Sequence, residues 1–205
     1  MGLRLYCIVS RDRCPRDGRG IWHLQPSLVL VAAAILERHD MIDIRSLVDA
    51  MKEHVASAKS SHFLTTTRAA YETWFRVELA PVLGRLGIPQ VDLDPHFNYP
   101  GTDQKADLVA RIRDSLVVFE LKSFVEGADS NKMVEFPKQL RRLEALLDST
   151  IIIQVIAFVT FLGYSDQRMK GYLERLFGKD QWHVVGPELA VKDGNLFLAV
   201  ASRSR

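Results

Sequence analysis

Cysteine is almost missing from this chain: Cys7 and Cys14 are the only two in 205 residues. Two thiols build no disulfide framework, and they lack the paired short spacings of a zinc site. An excess of one charge is missing too. Lys and Arg number 27 against 25 Asp and Glu, so there is no global cationic field, and a nucleic-acid partner would have to be held by a local patch. No early apolar run has bilayer length; the longest, Leu28–Leu36, is too short and follows a polar, arginine-containing segment unlike a signal peptide. Tyr6 stands where a myristoylation motif needs Ser or Thr. Internal repeats, Gly-rich phosphate loops, His-Glu-x-x-His zinc helices and Gly-x-Ser-x-Gly nucleophile turns are also absent. The expectation is a cytoplasmic protein with no membrane segment.

What is present is an ordinary globular composition, 47% hydrophobic and 25% charged, in a chain long enough to bury a core without staples. Arg11, Arg13, Arg16 and Arg19 punctuate a turn-rich start that reads as a solvated loop or as an arm touching phosphates. Helices are expected over Pro26–Arg38 and Met41–Ala58, the second with Ile44, Leu47, Val48 and Met51 on one face. Residues 1–62 thus read as a small helical accessory or recognition region, and 63–205 as the main domain. There the pattern predicts a helix over Thr67–Leu86 interrupted at Pro81, a short strand near His96–Tyr99, and strands over Asp107–Ile112 and Leu116–Phe124. A helix from Pro137 to Leu147 follows, with Pro at its first position. Ile151–Leu162 is apolar and β-branched enough for a strand covered on both faces. Ser165 and Gly178 bracket another helix, and Asp193-Gly194 turns a final hairpin. The order gives an α/β fold, a mixed central sheet flanked by helices.

The chemistry sits in Leu116-Val117-Val118-Phe119-Glu120-Leu121-Lys122. Period 2 puts Val118, Glu120 and Lys122 on one face of this apolar strand, where charges are costly unless paired, hydrated or bound to metal. If Arg113-Asp114 forms a two-residue turn, Asp107 lies opposite Glu120. If the turn is Asp114-Ser115, Asp107 lies opposite Lys122. Either register keeps the three on one face, and a bulge would break that parity. Two neighbouring carboxylates repel unless a hard divalent cation joins them. On the preceding helix, at about 100° per residue, Glu72 projects from the arc of Leu79, Leu83 and Leu86, with Glu78 at its edge. Gln139 lies within the arc of Leu140, Leu143, Leu146 and Leu147, beside Lys138. Phe97 and Tyr99 read as core residues of a short strand, with stacking on bases the alternative.

Asp107 followed by Glu120-Leu121-Lys122, with Glu72 before and Gln139 after, resembles the PD-(D/E)XK nuclease superfamily, the restriction-endonuclease-like fold. The resemblance covers about half the chain, Thr67 to Leu162. Ala106 replaces the Pro of the family name, and Asp103 is a rival for the aspartate. What the resemblance implies is Mg²⁺-dependent phosphodiester hydrolysis, with Mn²⁺ as a substitute. Asp107, Glu120 and the Leu121 carbonyl would hold the ion, Glu72 (or Glu78) would complete the shell, Lys122 would act on the attacking water, and Gln139 and Lys138 would brace. It implies DNA as partner, with RNA open, and a homodimer or larger complex. Lys105, Lys138, Arg111 and Arg113, with Lys132, Arg141 and Arg142 nearby, are the expected phosphate contacts. A non-catalytic binding or assembly subunit is the alternative.

Overall fold

The apolar run predicted as a central strand takes that place. In a computed structural model of the chain, which describes residues 41–57, 71–88, 90–127, 130–178, 181–192 and 195–205, Ile152–Leu162 (β4) is buried along nearly its whole length. Around it the described residues form helices α1 (Ile44–Ser57), α2 (Tyr71–Arg85), α3 (Ser130–Ala145) and α4 (Asp166–Phe177). The other strands are β1 (Gln90–Asp92), β2 (Leu108–Ile112), β3 (Ser115–Val125), β5 (His183–Val191) and β6 (Leu196–Ser204). The sheet order is β1-β2-β3-β4-β6-β5. Only β3 and β4 run parallel; the other pairings are antiparallel. The sheet is mixed, as expected.

Each face of the sheet has its own core. Val117, Phe119 and Leu121 of β3 point to the face where Leu47, Val48 and Met51 of α1 pack with Phe75, Leu79 and Leu83 of α2. Val118 and Phe124 point to the other, against Phe136, Leu140 and Leu143 of α3 and Met169, Tyr172 and Leu173 of α4. Each such side chain, fully buried, contributes about 1.5–3 kcal/mol. The alternation fixes the register of β3, because a one-residue slip would turn both sets inside out.

Some expectations change. All four residues predicted on one face of α1 are buried in the main core, so the boundary drawn after residue 62 falls inside one compact unit, His39–Arg205. Pro81 leaves α2 continuous. Pro137 sits inside α3 rather than at its start. Buried Phe136, with Met133 packed beside it, extends the Leu140–Leu143 stripe toward the N-terminus, and that burial outweighs the hydrogen bond Pro137 cannot make. The expected strand near His96–Tyr99 is a single bridge, Asn98 with Lys105. Ser165 and Gly178 do flank α4. The Pro26–Arg38 helix, the early arginines and the Asp193-Gly194 turn lie outside the described residues. Among those described, no helix is long and apolar enough to cross a membrane.

Candidate active site

The β2–β3 hairpin closes with Ile112 opposite Ser115. Its turn is therefore Arg113-Asp114, the first of the two registers considered, with Arg113 in the left-handed region at φ 54°. The ladder runs regularly to Leu108 opposite Phe119 and then ends. Beyond it β3 continues to Val125 with β4 on one side and, among the described residues, no named strand on the other.

Side chains take over where β2 stops. The Asp107 N–H still bonds the Phe119 carbonyl (3.2 Å), one residue off the register, so Asp107 departs from strict opposition to Glu120. Its carboxylate instead runs along the strand edge, where Oδ2 accepts the Leu121 N–H at 2.7 Å. Glu72, reaching from the first turn of α2, accepts the Ser123 N–H through Oε1 at 3.2 Å. The Ser123 carbonyl accepts from Lys132 Nζ at 2.9 Å. Two carboxylates and an ammonium thus meet backbone groups of β3 beyond the end of β2.

Glu120 stands beside this edge, 4% exposed, its Oε2 accepting the Tyr99 hydroxyl at 2.6 Å. Burial, and then the Asp107 charge, push its carboxyl up to about 8. Burial, together with the charge of Glu72, raises Asp107 against the opposing pull of the Leu121 N–H, Lys122 and Arg76. Burial and the Glu120 charge raise the Tyr99 phenol. Lys122 Nζ lies 3.6 Å from Glu72 Oε1, and Lys132 Nζ lies 3.4 Å from the same oxygen. The site is a knot of like charges with two cations at its rim, an arrangement that raises carboxyl pKa values wherever no cation joins the acids.

The structure sorts the predicted residues. Asp107, Glu120, Lys122 and Glu72 come together. Glu78 does not; it pairs with His54 of α1 at 2.5 Å. Gln139 makes no hydrogen bond to Lys122; its side-chain oxygen is buried without a partner. Lys138 is exposed and tied to Glu135. Lys105 is exposed near His96. Arg111 and Arg113 lie four and six residues from Asp107 along the hairpin, about 13 and 20 Å at the usual strand rise. The cations within electrostatic reach of the acids are Lys122, Lys132, Arg76 and, through Tyr99, Arg142. Arg76 was missed, although its place one helical turn after Glu72 puts the two on one face. Tyr99 is a core residue, as read, but its hydroxyl contact carried no sequence signal.

A hard divalent cation fits the donor set in chemistry. Among the described residues Asp107 and Glu120 are neighbouring carboxylates with no Cys or His grouped with them, and each has one oxygen taken by a donor and one left over. The Leu121 carbonyl shares the side of its own N–H, toward Asp107. Among the described residues no three His, Cys, Asp or Glu side chains form a metal-holding group, and Glu72 is engaged by Ser123, Lys122 and Lys132 rather than added as a third acid ligand. Compared with protein-family models, curated proteins and solved structures, the chain matches none.

Proposed function

We propose that this protein is a divalent-metal-dependent nuclease that hydrolyses phosphodiester bonds, with DNA as the preferred substrate. The observation that carries the reading is the gathering of Asp107, Glu120 and Lys122 on β3 beyond the end of its ladder with β2, with both acids pushed up by burial and by a neighbouring carboxylate. Asp107, Glu120 and the Leu121 carbonyl would hold Mg²⁺ or Mn²⁺. Bound there, the ion supplies polarisation of a phosphoryl oxygen and a lowered pKa for bound water. Lys122, held toward the site by Glu72 at 3.6 Å, orients the attacking water and stabilises charge developing on the phosphoryl group. Water adds to phosphorus as the P–O bond to the leaving oxygen breaks. Lys132, Arg76 and Arg142 supply local positive charge for the polynucleotide backbone. Cutting both strands of a duplex takes two such sites, which a homodimer provides.

A second reading, a nucleic-acid-binding or assembly subunit without catalysis, is favoured by one observation: Asp107 and Glu72 already serve β3 as backbone acceptors. The two readings separate when purified protein is incubated with plasmid, single-stranded DNA and RNA. The nuclease cleaves with Mg²⁺ or Mn²⁺, binds without cleaving in Ca²⁺, and loses cleavage but not binding in Lys122→Ala. Intact substrates throughout the panel favour the binding subunit, and cleavage of RNA alone makes the protein a ribonuclease.

A further inference from the structure

The segment between β1 and β2 has little regular structure but many local hydrogen bonds. Ala106 N–H bonds the Phe97 carbonyl at 3.0 Å, and Tyr99 N–H bonds the Gln104 carbonyl at 2.9 Å. The Tyr99 carbonyl accepts from both the N–H and the hydroxyl of Thr102, at 3.1 and 3.2 Å. Gly101, at φ 72°, makes the reversal. The Gln104 side chain is tied to Arg142 of α3. Tyr99 lies at the base of this loop, 2% exposed. A ring serving only to fill the core would need no hydroxyl, yet this one donates to Glu120 Oε2 at 2.6 Å.

We infer that Tyr99 is a positioning residue for the cation site: the pinned loop holds its hydroxyl on Glu120 Oε2 and so presents Oε1 to the ion. This rests on the reading of Asp107 and Glu120 as cation ligands. The Leu121 N–H does the same for Asp107, occupying Oδ2. Each acid then offers one oxygen from a fixed rotamer, and the ordering cost is met in the fold rather than at binding. Groups that orient metal ligands this way change affinity by roughly 10- to 100-fold when removed. A hydroxyl that merely solvated a buried carboxylate would change stability and leave ion affinity alone.

The test is Mn²⁺ binding to the full chain, followed by electron paramagnetic resonance, with thermal unfolding and far-UV circular dichroism alongside. Four proteins are compared: wild type, Tyr99→Phe, Gln104→Ala and Glu120→Gln. Wild type binds Mn²⁺ and Glu120→Gln loses it. Tyr99→Phe weakens binding by roughly 10- to 100-fold while keeping its spectrum. Gln104→Ala, an exposed change that loosens the loop, weakens it less. If Tyr99→Phe does not fold, Gln104→Ala decides alone. Wild-type binding that needs Glu120, combined with unchanged affinity in the folded loop variants, overturns the role of Tyr99 and leaves the cation site standing. No Mn²⁺ binding by wild type, or none that depends on Glu120, removes the cation site and this inference with it.

Discussion

The two halves of β3 differ in composition and in neighbours: Ser115–Phe119 is almost wholly apolar, whereas Glu120–Val125 carries Glu120, Lys122 and Ser123 among its apolar residues. From Leu116 to Phe119 the strand is paired on both sides, with β2 and with β4. From Glu120 to Val125 β4 continues without β2, and among the described residues Asp107, Glu72 and Lys132 meet the side that β2 leaves open. The paired half holds the fold together through burial on two faces. The open half keeps charged groups at a sheet edge, which is costly for folding. The core-building stretch and the charged cluster are therefore separated along one strand by the point at which β2 stops.

Substitutions in each half sharpen this contrast. The largest effect belongs to the open half: Lys122→Ala lowers cleavage by about 10²–10³-fold, the usual loss for a transition-state donor, with little change in melting temperature. In the paired half, Val117→Ala removes two buried methyl groups and costs roughly 2 kcal/mol of stability, read by denaturant unfolding. A similar magnitude comes from pH. Glu120 is raised from 4.5 to about 8 on folding, so between those values the folded protein holds a proton that the unfolded chain has lost. Stability of the metal-free protein is fully present below the unfolded value and is lost as pH rises toward the folded one, on the order of 2 kcal/mol between about pH 5 and about pH 7. The raised Asp107 carboxyl adds in the same direction. Glu120→Gln flattens the slope, and an unchanged slope in that variant would separate the open half from the electrostatics assigned to it. The smallest effect is that of Glu72→Gln. The amide oxygen still accepts from Ser123, and the lost ion pairs to Lys122 and Lys132 are partly exposed, so stability moves by less than about 1 kcal/mol. Cleavage falls roughly tenfold as Lys122 loses its orienting partner.

The paired half was legible in the sequence because its signals are local. Alternation in Leu116–Phe124 and the apolar run through Leu162 mark strands and faces within short windows, and of the two turns the pattern allows the structure takes Arg113-Asp114. Hence the sequence alone groups Asp107, Glu120 and Lys122 on one face. The open half was only partly legible because its contacts span long stretches of chain. Glu72 reaches Ser123 across 51 residues, and nothing near Glu72 says that a backbone N–H awaits it. Tyr99 reads as one more apolar residue, since a hydroxyl aimed at a buried carboxylate has no periodicity. The off-register bond of Asp107 to Phe119 was likewise invisible, because patterning predicts faces and not where a ladder ends. Pro137 misled for the opposite reason: a strong local rule was overridden by the buried side chain of Phe136.

The proposed cation site lies at the end of β3. A crystal of the protein soaked in Mn²⁺, examined by anomalous scattering, tests it directly. The expected result is a peak about 2.0–2.6 Å from oxygens of both Asp107 and Glu120, with the Leu121 carbonyl as a further ligand. A map without that peak, in which Glu120 stays protonated on Tyr99 and Asp107 stays on the Leu121 N–H, would contradict it.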